Sequence, residues 1–354
     1  MMKKNIFIFL LIIVVNYSLS GQDIHFSEYN ETPSLINPAL TGSAYVLRAS
    51  IIYKDQWGSV TVPYRTFGAA FDMKIKPTNW EKIDFQHKAY KKAFSKLGGG
   101  LSFFSDKAGD GKMGTNQANL SFATHIKTSD LSVLSLGIQG SVVQKSVDFS
   151  KFVFSNQYNG TGYAAGPAMG ETYGIHSFVY ADFAAGLLWR YEKVPTKVGE
   201  DSQLSGDVGF SVFHISKPKQ KFLSSTNDQL FSKYTVHGKC LIRSDKSSLG
   251  FAPSFLFSFQ GKQKELIGGV LVKYYMKQDS KYTGIIRKSS LGLGAYYRNQ
   301  DALIVSVLME FSQYAIGFSY DLNTSRLNKV STMHGGPEVT IRYNSAAKYL
   351  FQKK

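Results

Sequence analysis

Oily and watery side chains alternate with a period of two along most of the chain, most plainly between Asp301 and Asn344. Leu303, Val305, Val307, Met309 and Phe311 fall on one side of the first run, with Ser306 and Glu310 on the other. Tyr314, Ile316, Phe318 and Tyr320 then alternate with Ala315, Gly317, Ser319 and Asp321. Val339, Ile341 and Tyr343 alternate with Glu338, Thr340, Arg342 and Asn344. This period marks strands with one dry face. Here the wet face carries carboxylates, guanidinium and glycine, and the dry face ends in aromatics. A membrane barrel strand has that pattern, apolar toward lipid and polar toward the lumen.

Similar segments recur upstream. Leu134, Leu136, Ile138 and Val142 oppose Ser135, Gly137, Gln139 and Ser141, and Phe251, Phe255, Phe257 and Phe259 oppose Gly250, Ala252, Ser254 and Ser258. Candidate strands are 46–57, 64–76, 97–105, 114–127, 131–144, 177–191, 205–216, 230–243, 247–260, 265–276, 289–299, 302–311, 313–321 and 336–344. Each is near the length a tilted membrane strand needs, roughly 9–11 residues. The expected fold is therefore all-β, a transmembrane antiparallel β-barrel of about fourteen strands. Inward glycines leave room for other groups inside a curved sheet. Trp189, Tyr191, Tyr274, Tyr275, Phe311, Tyr314 and Tyr343 gather toward strand ends, as interfacial aromatics do.

Residues 22–45 show no such rhythm. They are turn-rich, contain Pro33 and Pro38, and read as an irregular segment ahead of the first strand, suited to a lumen plug. Before them, Lys3 and Lys4 precede an apolar run from Ile6 to Val15, followed by the small residues Ser18, Ser20 and Gly21. That is the form of a secretory signal peptide, too short to span as a helix. The expected organisation is signal peptide 1–21, irregular segment 22–45, outer-membrane barrel 46–345 and basic tail 346–354. An even strand count puts both ends in the periplasm. The short connections Thr128–Leu131, Ser244–Ser247 and Phe311–Tyr314 then face inward, and the long ones, 145–176 and 217–229, face outward. The connections 77–96 and 192–204 are long and break this pattern.

Charge and candidate chemistry change the picture little. The formal net charge of +16 suits anionic lipid or an acidic protein, and export argues against nucleic acid. The lone Cys240 forms no internal disulfide and reads as a small buried or lipid-facing side chain. Seven histidines are scattered without metal spacing, and phosphate-loop and G-x-S-x-G patterns are missing. The expectation is a protein without enzyme activity, cofactor or metal.

Ser105 through Gly111 (SDKAGDG) suits a tight hairpin loop more than a calcium loop, whose distal glutamate is missing. In order along the chain stand Gln22-Asp23, His25-Phe26-Ser27, Asn37-Pro38-Ala39 with Gly42, Gln56-Trp57, then Asp106, Gly109, Asp110 and Gly111. Asp182, His237-Gly238, Tyr297-Arg298, Gly317 through Asp321, and Gly335-Gly336 with Glu338 follow. In this order and spacing the chain resembles the PorP/SprF family of outer-membrane proteins, from the type IX secretion and gliding machinery of the Bacteroidota. It departs from the family at Tyr53-Lys54-Asp55, where an arginine-containing run is expected. The resemblance implies a barrel in the outer membrane, among lipid and lipopolysaccharide. Its implied partners are a secreted adhesin, or that adhesin's C-terminal domain, and subunits of the secretion machinery. Export of the adhesin or its anchoring at the surface would be the role. The alternative is a diffusion channel for small or hydrophobic solutes, which a barrel of this size can hold. A soluble secreted β-sandwich is the third reading.

Overall fold

The alternating segments are strands in the computed structural model, which describes residues 24–58, 62–75, 95–109, 111–148, 152, 157–158, 160–162, 176–193, 203–220, 229–244, 247–277, 289–325 and 333–345. They are β1 (Leu47–Gln56), β2 (Tyr64–Ile75), β3 (Ser95–Ala108), β4 (Met113–Lys127) and β5 (Ser132–Ser146). Next come β6 (Ser177–Lys193), β7 (Gln203–Phe213), β8 (Lys233–Arg243), β9 (Leu249–Gln260) and β10 (Gln263–Lys277). β11 (Ser289–Arg298), β12 (Ala302–Phe311), β13 (Tyr314–Asn323) and β14 (His334–Asn344) complete the sheet. Every strand pairs antiparallel with its neighbour in sequence, and β1 pairs with β14 from Arg48↔Asn344 to Lys54↔Glu338. The sheet is a closed barrel of fourteen strands, so it has no free edge along its circumference to manage in lipid. No helix among the described residues is long and apolar enough to cross a membrane.

The faces follow the sequence pattern. Leu303, Val305, Val307 and Met309 point outward and are exposed, while Ile304, Ser306 and Leu308 are buried. Leu136, Ile138 and Val142 likewise face out, with Ser135, Gln139 and Ser141 inside. Tyr314 and Tyr343 pack at 5.2 Å at the rim where β1 begins and β14 ends, and Trp189 and Tyr191 sit at the same rim. This is the near rim; the far rim is the one where β1 ends and β14 begins. The lone Cys240, half-buried in β8, is unpaired.

Strand ends differ from the expected ones at two places that matter. β3 continues to Ala108, so Asp106 is a strand residue and the turn before β4 takes in Gly109, Gly111 and Lys112. Gly109 (φ 66°) and Lys112 (φ 45°) take left-handed conformations there, and Lys112 N–H donates to the Gly109 carbonyl. β7 stops at Phe213 rather than near 216, because His214 turns the chain with φ 56°. The expected signal peptide 1–21 and basic tail 346–354, with Gln22, Asp23 and Asp110, lie outside the described residues, as do most of 77–96 and all of 194–202 and 163–175.

Candidate functional site

A barrel this wide must fill its interior, and residues 24–45 lie against the inward side chains along its length. Two short 3-10 turns, Tyr29–Glu31 and Pro38–Leu40, flank the one-turn helix α1 (Pro33–Ile36). Proline at the first helical position suits both α1 and the second 3-10 turn, since that N–H has no helical partner. The apolar residues meet the wall: Tyr29, Ile36, Ala39 and Leu40 form one buried cluster with Leu188, Leu256, Ile267, Tyr296 and Ile304. Phe26 joins Ile52 and Phe104 in a second, its ring 6.2 Å from that of Phe104. The barrel's hydrophobic core is thus largely the contact between this segment and the wall.

At the far rim, Ser27 and Glu28 enter a buried ionic cluster. The Ser27 hydroxyl donates to Asp321 (2.6 Å) and accepts from Arg298 (2.7 Å) and Lys54 (3.1 Å). Backbone N–H groups of Ser27 and Glu28 donate to the two Glu338 oxygens at 2.8 Å each. Arg298 also donates to Asp321 and Asp301 at 3.0 Å, and the Lys54 ammonium lies 3.5 Å from Asp321 and 3.6 Å from Glu338. Lys54 therefore supplies a buried cation from the run that departs from the family pattern. Deeper in, Arg342 bridges Glu31 and Glu310, and Lys273 meets Glu310 at 2.9 Å.

At mid-height Asn37 is fully buried. Its Nδ2 donates to the Leu187 carbonyl (2.9 Å) and the Phe210 carbonyl (3.2 Å) and lies 3.1 Å from His237 Nε2. Its Oδ1 accepts from Ala39 N–H at 2.8 Å, capping the 3-10 turn. The Asn37–Ala39 backbone sits this close because β5, β6 and β7 present Gly137, Gly186 and Gly209 to it. A Cβ at Gly186 would stand 1.9 Å from Asn37 Oδ1, and one at Gly137 would stand 2.3 Å from Ala39 N. Toward the near rim, Thr41 contacts Ser121 and His125, and Gly42 (φ 64°) donates its N–H to Asp72 at 2.9 Å. Asp72 in turn holds Arg48 at 2.7 Å. The segment therefore runs from the far rim to the near rim, where β1 begins.

The residues singled out in the sequence fall into three places. Phe26, Asn37, Pro38, Gly42 and Asp321 meet at the threaded lumen. Gln56, Trp57, Gly335 and Gly336 meet at the far rim, where β14 crosses the end of β1. The Trp57 N–H donates to the Gly335 carbonyl at 2.6 Å, and its ring lies 4.9 Å from Tyr64. Gly336 (φ 153°) is needed there, since a Cβ would lie 2.0 Å from the Asp55 carbonyl oxygen. Asp106, in β3, accepts from the Thr66 hydroxyl at 2.6 Å, and Gly111 lies under the Phe152 ring. Gly109 shapes the turn between them. Unflagged at the sequence level were the cations Lys54 and Arg342 as partners of this segment, and the glycine groove; the signal was inward glycines on three successive strands.

No group of three or more His, Cys, Asp or Glu among the described residues could hold a metal ion. His214 Nδ1 meets Asp182 at 2.7 Å, but the nearby Ser216 hydroxyl bonds the other Asp182 oxygen, so these three do not make the relay a serine nucleophile requires.

His25 stands at the far rim ahead of the strands, beside a cavity of about 30 Å³ that it lines with Thr235, Ser258 and Glu265. Burial pushes its imidazole down to about 4; Glu265 opposes the shift, and the cations Arg298 and Lys54 add to it. The docked form thus favours neutral imidazole. Its contribution is complete above the ordinary value of 6.5 and is lost as pH falls toward 4. Compared with His25→Gln, the wild-type segment is expected to become more accessible to protease on going from about pH 7 to about pH 4.5. Equal pH responses of the two proteins would refute this.

A family model described as the type IX secretion system membrane protein PorP/SprF matches residues 18–343. No curated protein matches the sequence. Among solved structures the chain is similar to CdiB from Acinetobacter baumannii, with 5% identity, TM-score 0.39, and coverage of 85% of this chain and 60% of that one. It is also similar to a deletion mutant of the monoaromatic hydrocarbon channel TodX, with 9% identity, TM-score 0.40 and coverage of 86% and 91%. For Pseudomonas putida OprB at high pH the values are 7%, 0.37, 86% and 93%.

Proposed function

The chain belongs to the PorP/SprF family of type IX secretion system membrane proteins, and from that membership we propose that it is a non-enzymatic outer-membrane barrel that holds an exported surface protein. The client is an adhesin gripped through its C-terminal domain, for export or for anchoring, with subunits of the secretion machinery as further partners. The observation that carries this reading is the lumen. Residues 24–45 lie between the strands from one rim to the other, held by buried ionic and hydrogen bonds. A barrel filled in this way acts by what it binds at its mouths. We take this segment as a plug, the signal peptide as removed, and both chain ends as periplasmic. The far rim and the connections 145–176 and 217–229 then face outward and are the contact surfaces.

The diffusion-channel reading requires the segment to leave. Purified wild-type protein in a planar bilayer is expected to show no stable conductance steps, and steps at neutral pH would favour the channel. Affinity purification from detergent-solubilised native outer membranes is expected to recover a large exported protein or secretion subunits. Recovery of neither would overturn the proposal.

A further inference from the structure

β6 is taller than the strand that follows it. It runs from Ser177 to Lys193 and pairs with β5 from its first residue, Ser146↔Ser177, to Ser132↔Tyr191. Its pairing with β7 covers only Ala185–Lys193. The cause is local. His214 turns with φ 56° and is clamped to Asp182, Ser216 bonds the same carboxylate, and Lys217 turns again with φ 45°. Ile215 N–H to the Phe183 carbonyl, 3.1 Å, is the last rung. The chain then turns across the mouth, where Gln220 accepts from Lys145.

Phe183 directs its carbonyl to the β7 side, so by alternation Ser177, Val179 and Ala181 direct their N–H and C=O groups to the side that β7 has left, where the Ser216 hydroxyl donates to the Ala181 carbonyl at 3.5 Å. Among the described residues no strand pairs with them there. The stretch Ser177-Phe178-Val179-Tyr180-Ala181 has strong strand formers and none of the proline or lysine that guards an edge. Unpaired backbone of this kind is not tolerated in hydrocarbon, so the edge stands above the acyl chains. Beside it, Lys217 and Lys219 are exposed cations, and Val179, Phe183 and Ile215 are exposed apolar side chains.

We propose that this bare edge of β6 is a strand-addition site for an extended, acidic segment of the exported protein. Backbone groups in a row recognise only another extended backbone, and the flanking lysines select acidic neighbours. The proposal rests on the reading of the protein as a holder of an exported client, and it says where that client is gripped.

The test uses the full chain in native outer membranes, with the photocrosslinker p-benzoylphenylalanine at Val179, at Ala181 and, as a reference, at Tyr158 in the 147–176 connection. Cross-linked peptides are identified by mass spectrometry. The expected result is one acidic segment of an exported protein, with the contacts of positions 179 and 181 offset by two residues. Val179→Pro removes an N–H on the vacated side and leaves the β5 ladder its bonds. It is expected to lower co-purification of that protein at least ten-fold while the barrel keeps its heat-modifiable mobility. Should that variant fold poorly, the pair Lys217→Glu and Lys219→Glu is expected to give the same loss. Cross-links to residues 149–175 or 221–228 of the same chain, or to a second copy, overturn the proposal. So does an exported protein captured from Tyr158 whose retention neither variant alters, a result that leaves the holding function standing. If no position captures an exported protein, the functional reading fails and the proposal with it.

Discussion

Gly186→Val is expected to drive the N-terminal segment out of the lumen and turn a closed barrel into a conducting one. The first atom of the new side chain would stand 1.9 Å from Asn37 Oδ1 and 3.1 Å from Pro38 Cδ. Asn37 cannot swing away, because its amide is held by two strand carbonyls and its oxygen by Ala39 N–H. Yielding means losing those bonds, each worth about 1 kcal/mol net, and leaving buried polar groups unpaired at about 1–3 kcal/mol apiece. Ile36, Ala39 and Leu40 would leave their cluster with them. A loss of roughly 3–5 kcal/mol in docking follows, a shift of more than about a hundred-fold toward the undocked segment. Bilayer recordings should show conductance steps in the variant and none in the wild type, and protease should cut residues 24–45 in folded barrels. Gly268→Val is the matched control, since a Cβ there meets nothing within 4 Å, and it should stay closed. A closed, protease-resistant Gly186→Val protein would mean that the glycine groove does not determine docking.

The barrel itself was legible in the sequence because lipid imposes a simple rule. Every second residue of a spanning strand must be apolar, and Leu303 to Phe311 and Tyr314 to Tyr320 obey it without exception, so strand number and facing could be read directly. Strand ends were less legible, because conformation decides them: β7 ends at a histidine in a left-handed conformation, and nothing in the residue name announces that. The filling of the lumen was half legible. Inward glycines such as Gly137 left room for other groups inside, but that Gly186 and Gly209 line up beside it, and which residues approach them, depends on register across three strands. Asp321 and Glu338 stood out as carboxylates on the wet face. Of their partners, Ser27 and Lys54 come from hundreds of residues away, before or across the closure, and Arg298 from two strands back, and only the closed sheet brings all of them together.

That closure makes Asp321 a highly sensitive charge. Its side chain is 1% exposed, as is that of Lys54, with Arg298 at 2%. Removing one member of a buried ionic group costs about 3–5 kcal/mol, because the opposite charges remain in a low-dielectric site without compensation. Asp321→Ala leaves Arg298 with Asp301 and Glu265 and the buried Lys54 with Glu338 alone, and it deprives the Ser27 hydroxyl of its acceptor, so both the β13–β14 wall and the incoming segment lose hold. The expected result is a large fall in the temperature at which the detergent-solubilised barrel loses its heat-modifiable mobility. Adding Lys54→Met to Asp321→Ala should recover a large part of that loss, since the surplus cation leaves with the anion, and the two changes should be strongly non-additive. An exposed pair gives the scale: Lys127–Asp130, with Asp130 80% exposed, should change stability by less than about 1 kcal/mol when Lys127 becomes alanine. If Asp321→Ala were as mild as Lys127→Ala, the far-rim charges would be solvated neighbours. The segment would then be held by its apolar residues and Asn37 alone.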